Sequence, residues 1–251
     1  MGESMTKVTA DDITTLLAAA RAMQPGAEAA LAENAFFKAL LDATVYAHVP
    51  IEGAPPGRMR FIQFVHPENG QTVLPFFSDL AQAEAPQRKD ASIVAMSGRR
   101  LFELTRGATL ILNPNYDQVM LYPPEIAALL DGRELGNYTK HMVHEGANVA
   151  ACPPSVPTAA LDQSLRELFA REQTVKAAYL VEVHGMIEGT KRSLVLAIVT
   201  SKAHQERLVA LATLALKTDA IALALPLDIL FVGPDEPLPT ICHAGIQLYG
   251  T

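Results

Sequence analysis

Apolar residues follow a helical period at the start of the chain and change to an alternating one near residue 44. A first helix is predicted from Asp11 or Asp12 as cap to about Met23, where "QPG" stops it. A second, "AEAALAENAFFKALLDAT", places Leu31, Phe36, Leu40 and Leu41 near one face. "TVYAHV" then reads as a strand, and "PIEGAPPG" as a loop. "RFIQFVH" and "QTVLPFF" are two more strands, joined by "PENG" in the chain's best hairpin candidate. Pro75 has no N–H for a central ladder, so it is expected at a sheet edge or bulge. Ser78 or Asp79 caps a short helix from Leu80.

The alternation continues. "ASIVAM" is a strand, and "SGRRLFELT" is a short helix capped by Ser97. "ATLILNPN" is a strand ending in a turn, and "QVMLY" is another. "PPEIAALLDG" is a helix entered through proline and closed by Gly132. Strand signal fades over 133–157, where "CPPSVP" marks a join, so a boundary is expected near Cys152. The second half reads helix, strand, strand, helix, strand, and a last strand around "AGIQLYG". The fold class is α+β, with two α/β-layered domains at 1–150 and 153–251. The first has a mixed sheet with short helices, and the second a smaller sheet with helices packed on one face.

With 49% hydrophobic and 19% charged residues, the chain is not disordered as a whole. A net charge of −7 supplies no dominant basic face, so no nucleic-acid partner is expected. Arg88, Lys89, Arg99, Arg100 and Arg106 form a loose basic group, interspersed with Asp90 and Glu103, and read first as a solvated surface. No uncharged run reaches the roughly 20 residues of a membrane span. Two cysteines, Cys152 and Cys242, make no disulfide framework, so a reduced cytoplasmic compartment is expected. Gly2 and Thr6 fit the permissive myristoylation pattern, which carries little weight alone.

Candidate chemistry is sparse. No Gly-rich phosphate loop is present, and the nearest substitute is Ser97, Gly98, Arg99 and Arg100, a helix start beside two cations that could hold a small anion. His141, His144 and Glu145 lack the further ligands that zinc needs. Cys242 and His243 are adjacent, and in a strand they would face opposite ways, so they make no dyad. Cys152, beside two prolines, is expected on a surface segment. Asp79 reads as a cap and Glu103 as a surface helix residue. No cofactor, no metal and no catalytic set are expected. Phe61, Phe64, Phe76 and Phe77 concentrate in the hairpin, each pair differing in parity. Either helices cover both sheet faces or one aromatic is displayed. Pro75, Phe76 and Phe77, with Asn115 and Tyr116 on the "NPNYD" turn, are the candidate protein-interaction residues.

"AFFKALLDATVYAHV", "GQTVLPFFSDL", "MSGRRLFEL" and "GATLILNPNYDQVMLYPPEI" occur in order, and together they resemble the SseB (enhanced serine sensitivity) family. The likeness covers roughly 28–132, and more loosely 153–245. It implies a bacterial cytoplasmic protein of two α/β domains, with no catalytic or cofactor residues to carry over. The expected function is a non-catalytic protein-interaction or regulatory module, with an unknown protein partner or self-association. The alternative is binding of a small molecule such as an amino acid or other anion. A type III secretion role, suggested by a namesake translocon component, is not favoured: the chain has no membrane-active segment and no long helices.

Overall fold

The structure is a computed structural model. It describes residues 9–23, 27–52, 55, 58–67, 70–86, 89–135, 150–187 and 190–250. The chain divides into two compact units, Met1–Leu135 and Gly136–Thr251.

The first unit opens with α1 (Ala10–Ala22) and α2 (Ala27–Asp42). Thr9, rather than an aspartate, caps α1: its hydroxyl accepts from the Asp12 N–H, and the Asp12 carboxylate accepts from the Thr9 N–H. Asp12 therefore sits at the third helical position of a capping box. In α2, Phe36, Phe37, Leu40 and Leu41 are buried, whereas Leu31 is 67% exposed. Leu31 lies nine residues before Leu40, and at 3.6 residues per turn that puts the two about 180° apart around the helix.

The strands of this unit are β1 (Thr44–Pro50), β2 (Phe64–Val65), β3 (Thr72–Phe77), β4 (Ala91–Ser97), β5 (Thr109–Leu112) and β6 (Val119–Leu121). The helices α3 (Leu80–Glu84), α4 (Gly98–Leu104) and α5 (Pro123–Leu130) alternate with them. The sheet runs β4-β1-β3-β5-β6, with β2 also on β3. β3 and β5 are parallel and the remaining pairs antiparallel, so the sheet is mixed. β2 and β3 form the expected hairpin, with Phe64 opposite Val73. The predicted strand over 60–66 shortens to the two residues of β2.

Pro75 is not at the edge of the sheet. It stands in the central strand β3, opposite Ile111 of β5. Phe76 turns its carbonyl toward β5, where it accepts from the Asn113 N–H at 2.9 Å. Backbone polar groups alternate in direction along a strand, so Pro75 faces the other side. There the neighbour of β3 changes, from β2 at residues 72–73 to β1 at residues 76–77. Continuing the β1 register puts His48 opposite Pro75. The His48 carbonyl is satisfied instead by the Ile62 N–H, at 2.9 Å. The donor that proline lacks is thus supplied by another segment, and the proline costs the sheet no orphaned carbonyl.

The second unit contains β7 (Ala150–Cys152), α6 (Ala159–Arg171), β8 (Ala177–Ile187), β9 (Thr190–Val199), α7 (Gln205–Thr218), β10 (Leu227–Val232) and β11 (Ile246–Tyr249). Its sheet runs β10-β9-β8-β11, and β7 shares with β11 the outer edge of β8. Cys152 therefore belongs to a strand of this unit, and the division into two compact units falls after Leu135. Leu161, Leu165 and Phe169 of α6 pack with Leu208 and Ala212 of α7. They cover Ala178 and Leu180 of β8 and Leu194, Leu196 and Ile198 of β9, so both helices lie on one face. On the other face Val181, Val183 and Val195 meet Leu230 and Ile241. Cys242 lies in a 3₁₀ turn, Thr240–Ala244, not in a strand. It is buried, which pushes its thiol pKa up.

Candidate functional site

In the first unit, the parallel strands β3 and β5 end together in a polar turn. Asn113 follows β5 with φ 47°, the left-handed region that asparagine tolerates better than most residues. Its side chain is almost wholly buried and joins both strand ends. Oδ1 accepts the Ser78 N–H at 3.0 Å, while Nδ2 donates to Ser78 Oγ at 3.0 Å and to Asp117 Oδ2 at 2.6 Å. The Asn113 carbonyl accepts from the N–H groups of Tyr116 and Gln118. Arg21 of α1 donates to the Asp117 carbonyl at 2.5 Å. On this braced turn Asn115 is exposed, and Tyr116 is 70% exposed.

The other residues proposed for this surface are inside. Pro75, Phe76 and Phe77 are all buried. Phe76 packs edge-on against Phe102, with ring centroids 5.9 Å apart, and Phe77 against His48 at 5.2 Å. The hydrophobic corner at 75–77 is therefore packing, and of the candidate interaction residues Asn115 and Tyr116 are the exposed ones.

Ser97, Gly98, Arg99 and Arg100 form the start of α4, with Ser97 as cap. The Gly98 N–H is spent on the Ala43 carbonyl at 3.0 Å, and the Arg100 N–H on Ser97 Oγ at 3.2 Å. Gly98 is required for close packing: an added Cβ would lie 2.0 Å from the Leu40 carbonyl oxygen. Arg100 pairs with Glu103 at 3.5 Å. The helix start is thus seated on the end of α2 and keeps few donors for an anion. Asp79 caps α3, accepting from the Gln82 N–H at 2.8 Å. A groove of about 240 Å³, lined by Met59, Phe61, Leu74, Leu104 and Arg106, is smaller than the usual 300 Å³ or more of a ligand pocket. Gly2, Thr6, Arg88, His141, His144 and Glu145 lie outside the described residues.

The second unit holds a polar cluster that the sequence reading missed. Cys152 pairs with Glu182, and Glu182 with Leu194; two rows along, Ala150 pairs with His184, and His184 with Arg192. Glu182 and His184 are two apart on β8 and share the face that α6 and α7 cover further along. Ser155, in the segment before α6, lies over Glu182. Glu182 Oε2 accepts from the Ser155 N–H at 2.8 Å and the Ser155 hydroxyl at 2.7 Å. Arg192 Nε donates to Oε1 at 2.7 Å, and a second guanidinium nitrogen lies 2.6 Å from it. Glu182 is fully buried. The hydroxyl and amide of Ser155, then the Arg192 guanidinium, hold its carboxyl pKa at about 2 against the opposing effect of burial.

His184 Nε2 is 3.3 Å from Glu182 Oε1 and 3.7 Å from Cys152 Sγ. One ring nitrogen thus faces both groups. A nucleophile–base–acid relay needs the two nitrogens on different partners, so this is not a relay geometry. The sequence signal that could have found the cluster is Glu-x-His in a predicted strand, with a cysteine at the start of the same unit.

Fold and site define a two-unit α+β protein whose first unit carries an aromatic on a braced turn at the ends of two parallel strands. Residues 14–128 match the family described as SseB protein N-terminal domain, a stretch that runs from α1 into α5 and includes the turn. The first unit is thus similar to the SseB N-terminal domain. The chain is similar to Protein SseB of Escherichia coli (strain K12) and to Protein SseB of Shigella flexneri, each 29% identical over 154 residues. The match covers 59% of this chain and 59% of the length of each relative. No solved structure matches the chain significantly.

Proposed function

We propose that the protein is a non-catalytic, cytoplasmic interaction module that binds a protein partner through Tyr116. The second unit is read as an SseB C-terminal-like domain, following the resemblance of its sequence. The observation that carries the proposal is a tyrosine 70% exposed on a turn held by Asn113, Asp117 and Arg21. Aromatic anchors dominate many interfaces, and a pre-ordered one loses little conformational entropy on binding. The small-molecule reading is weaker, because the donors of the Ser97 helix start are already engaged and the groove is small.

Tyr116→Ala tests this. Its side chain is solvated, so the melting temperature is expected to stay within about 1 °C of the parent. Loss of a hot-spot aromatic costs at least about 2 kcal/mol, so recovery of the partner on the immobilised protein should fall roughly 30-fold. Equal recovery by the folded variant overturns the proposal.

A further inference from the structure

We propose that Cys152, Glu182 and His184 form a binding site for a thiophilic divalent cation, zinc above all, and that Arg192 holds the cation's place until it arrives. This inference concerns the second unit and does not depend on the Tyr116 surface.

Thiolate, imidazole and carboxylate are three of the donors zinc takes. They stand on neighbouring strands, Cys152 on β7 and the others on β8, so backbone pairing and not loop conformation sets their spacing. With zinc–nitrogen and zinc–oxygen bonds of about 2.0–2.1 Å and a zinc–sulfur bond of about 2.3 Å, tetrahedral coordination separates nitrogen from oxygen by about 3.3 Å and sulfur from nitrogen by about 3.6 Å. The observed separations are 3.3 Å and 3.7 Å. All three donor atoms lie within 4.8 Å of one another. The facing of His184 Nε2 toward both sulfur and oxygen, which fits no proton relay, is what a shared ion between them requires.

Arg192 is the competing cation. Its guanidinium lies on Glu182 Oε1, the oxygen nearest the imidazole. The Arg192 side chain is 43% exposed, so it can turn out to solvent and leave Oε1 to an incoming ion. Ser155 would continue to hold Oε2 and keep the carboxylate aimed, as outer hydrogen bonds do at metal sites. The His184 side chain is equally exposed, which leaves a fourth position for water. Binding exchanges one positive charge for two, and the added charge is matched by the thiol: Cys152 gives its proton to solvent as the sulfur–metal bond forms.

The test is titration of the metal-stripped full chain with cobalt(II), a spectroscopic stand-in for zinc, followed by thiolate-to-cobalt absorption. One equivalent should produce the band, and zinc should abolish it by displacement. Cys152→Ser should remove the band, and His184→Ala should weaken binding at least tenfold. Cys242→Ser, at the other cysteine, should leave both unchanged. Arg192→Gln should tighten binding about tenfold, because the competing cation is gone. A parent protein without a thiolate band, or a band that survives Cys152→Ser, overturns the site. Unchanged or weaker affinity in Arg192→Gln overturns the exchange with arginine. A second readout needs no variant: zinc should slow alkylation of Cys152 by iodoacetamide at least tenfold, and an unchanged rate speaks against the site.

Discussion

Phe76→Ala is expected to destabilise the first unit by about 3–5 kcal/mol, the range for emptying a phenylalanine site in a packed core. Phe76 is 0% exposed. It lies between Ala47 of β1 and Leu112 of β5, and its ring meets the edge of Phe102. Collapse around the vacated space is restricted, because backbone ladders fix the strands on both sides. Urea denaturation should show an earlier transition, and hydrogen exchange should place the loss in β3 and β5. A change below about 1 kcal/mol would contradict the packing described for this strand.

Glu182 should give an effect of similar size in the second unit, with a pH signature. Removing one partner of a buried, hydrogen-bonded ion pair costs about 3–5 kcal/mol, and the half-exposed Arg192 places Glu182→Ala at the lower end. The carboxyl pKa falls from 4.5 in the open chain to about 2 in the fold. Folding therefore favours the ionised form. Its stabilisation is complete above the open-chain value and is lost as pH falls from 4.5 toward 2. At 1.36 kcal/mol per unit, the lowering is worth about 3 kcal/mol. The stability advantage of the parent over Glu182→Gln should thus shrink by about that amount on acidification from pH 6 to pH 2. Parallel stability curves for the two proteins would show that Ser155 and Arg192 do not hold the charge.

Local patterns carry most of the elements. Helix ends are legible because their signals are short-range: Asp79 before α3, Ser97 before α4, and Gly132 after α5 act within a turn or two. The errors arise where long-range pairing decides. Pro75 sits in a central strand because the neighbour of β3 changes at that point and Ile62 completes His48, which no local rule can anticipate. The strand expected at 60–66 shortens for the same reason. Leu31 is a different case: helical geometry alone puts it opposite Leu40, so its exposure was already implied by the sequence. In the candidate sites, the exposed turn at Tyr116 follows from the two asparagines, the proline and the aspartate of "NPNYD". The Cys152–Glu182–His184 cluster does not, because it depends on the register of β7 on β8, across some 30 residues.

The neighbour change at Pro75 also divides the first sheet in two. β4 and β1 pair along their whole length from Thr44–Ser97 to Pro50–Ala91, and β3, β5 and β6 form a second ladder. The two halves are joined directly only at Tyr46–Phe77 and Ala47–Phe76 among the described residues. Such a seam is where a sheet can part without unravelling, so each half is a natural cooperative unit for partial opening. The unusual burial of consecutive phenylalanines at this point then takes on a mechanical meaning: Phe76 and Phe77 are the stitches that make two ladders behave as one.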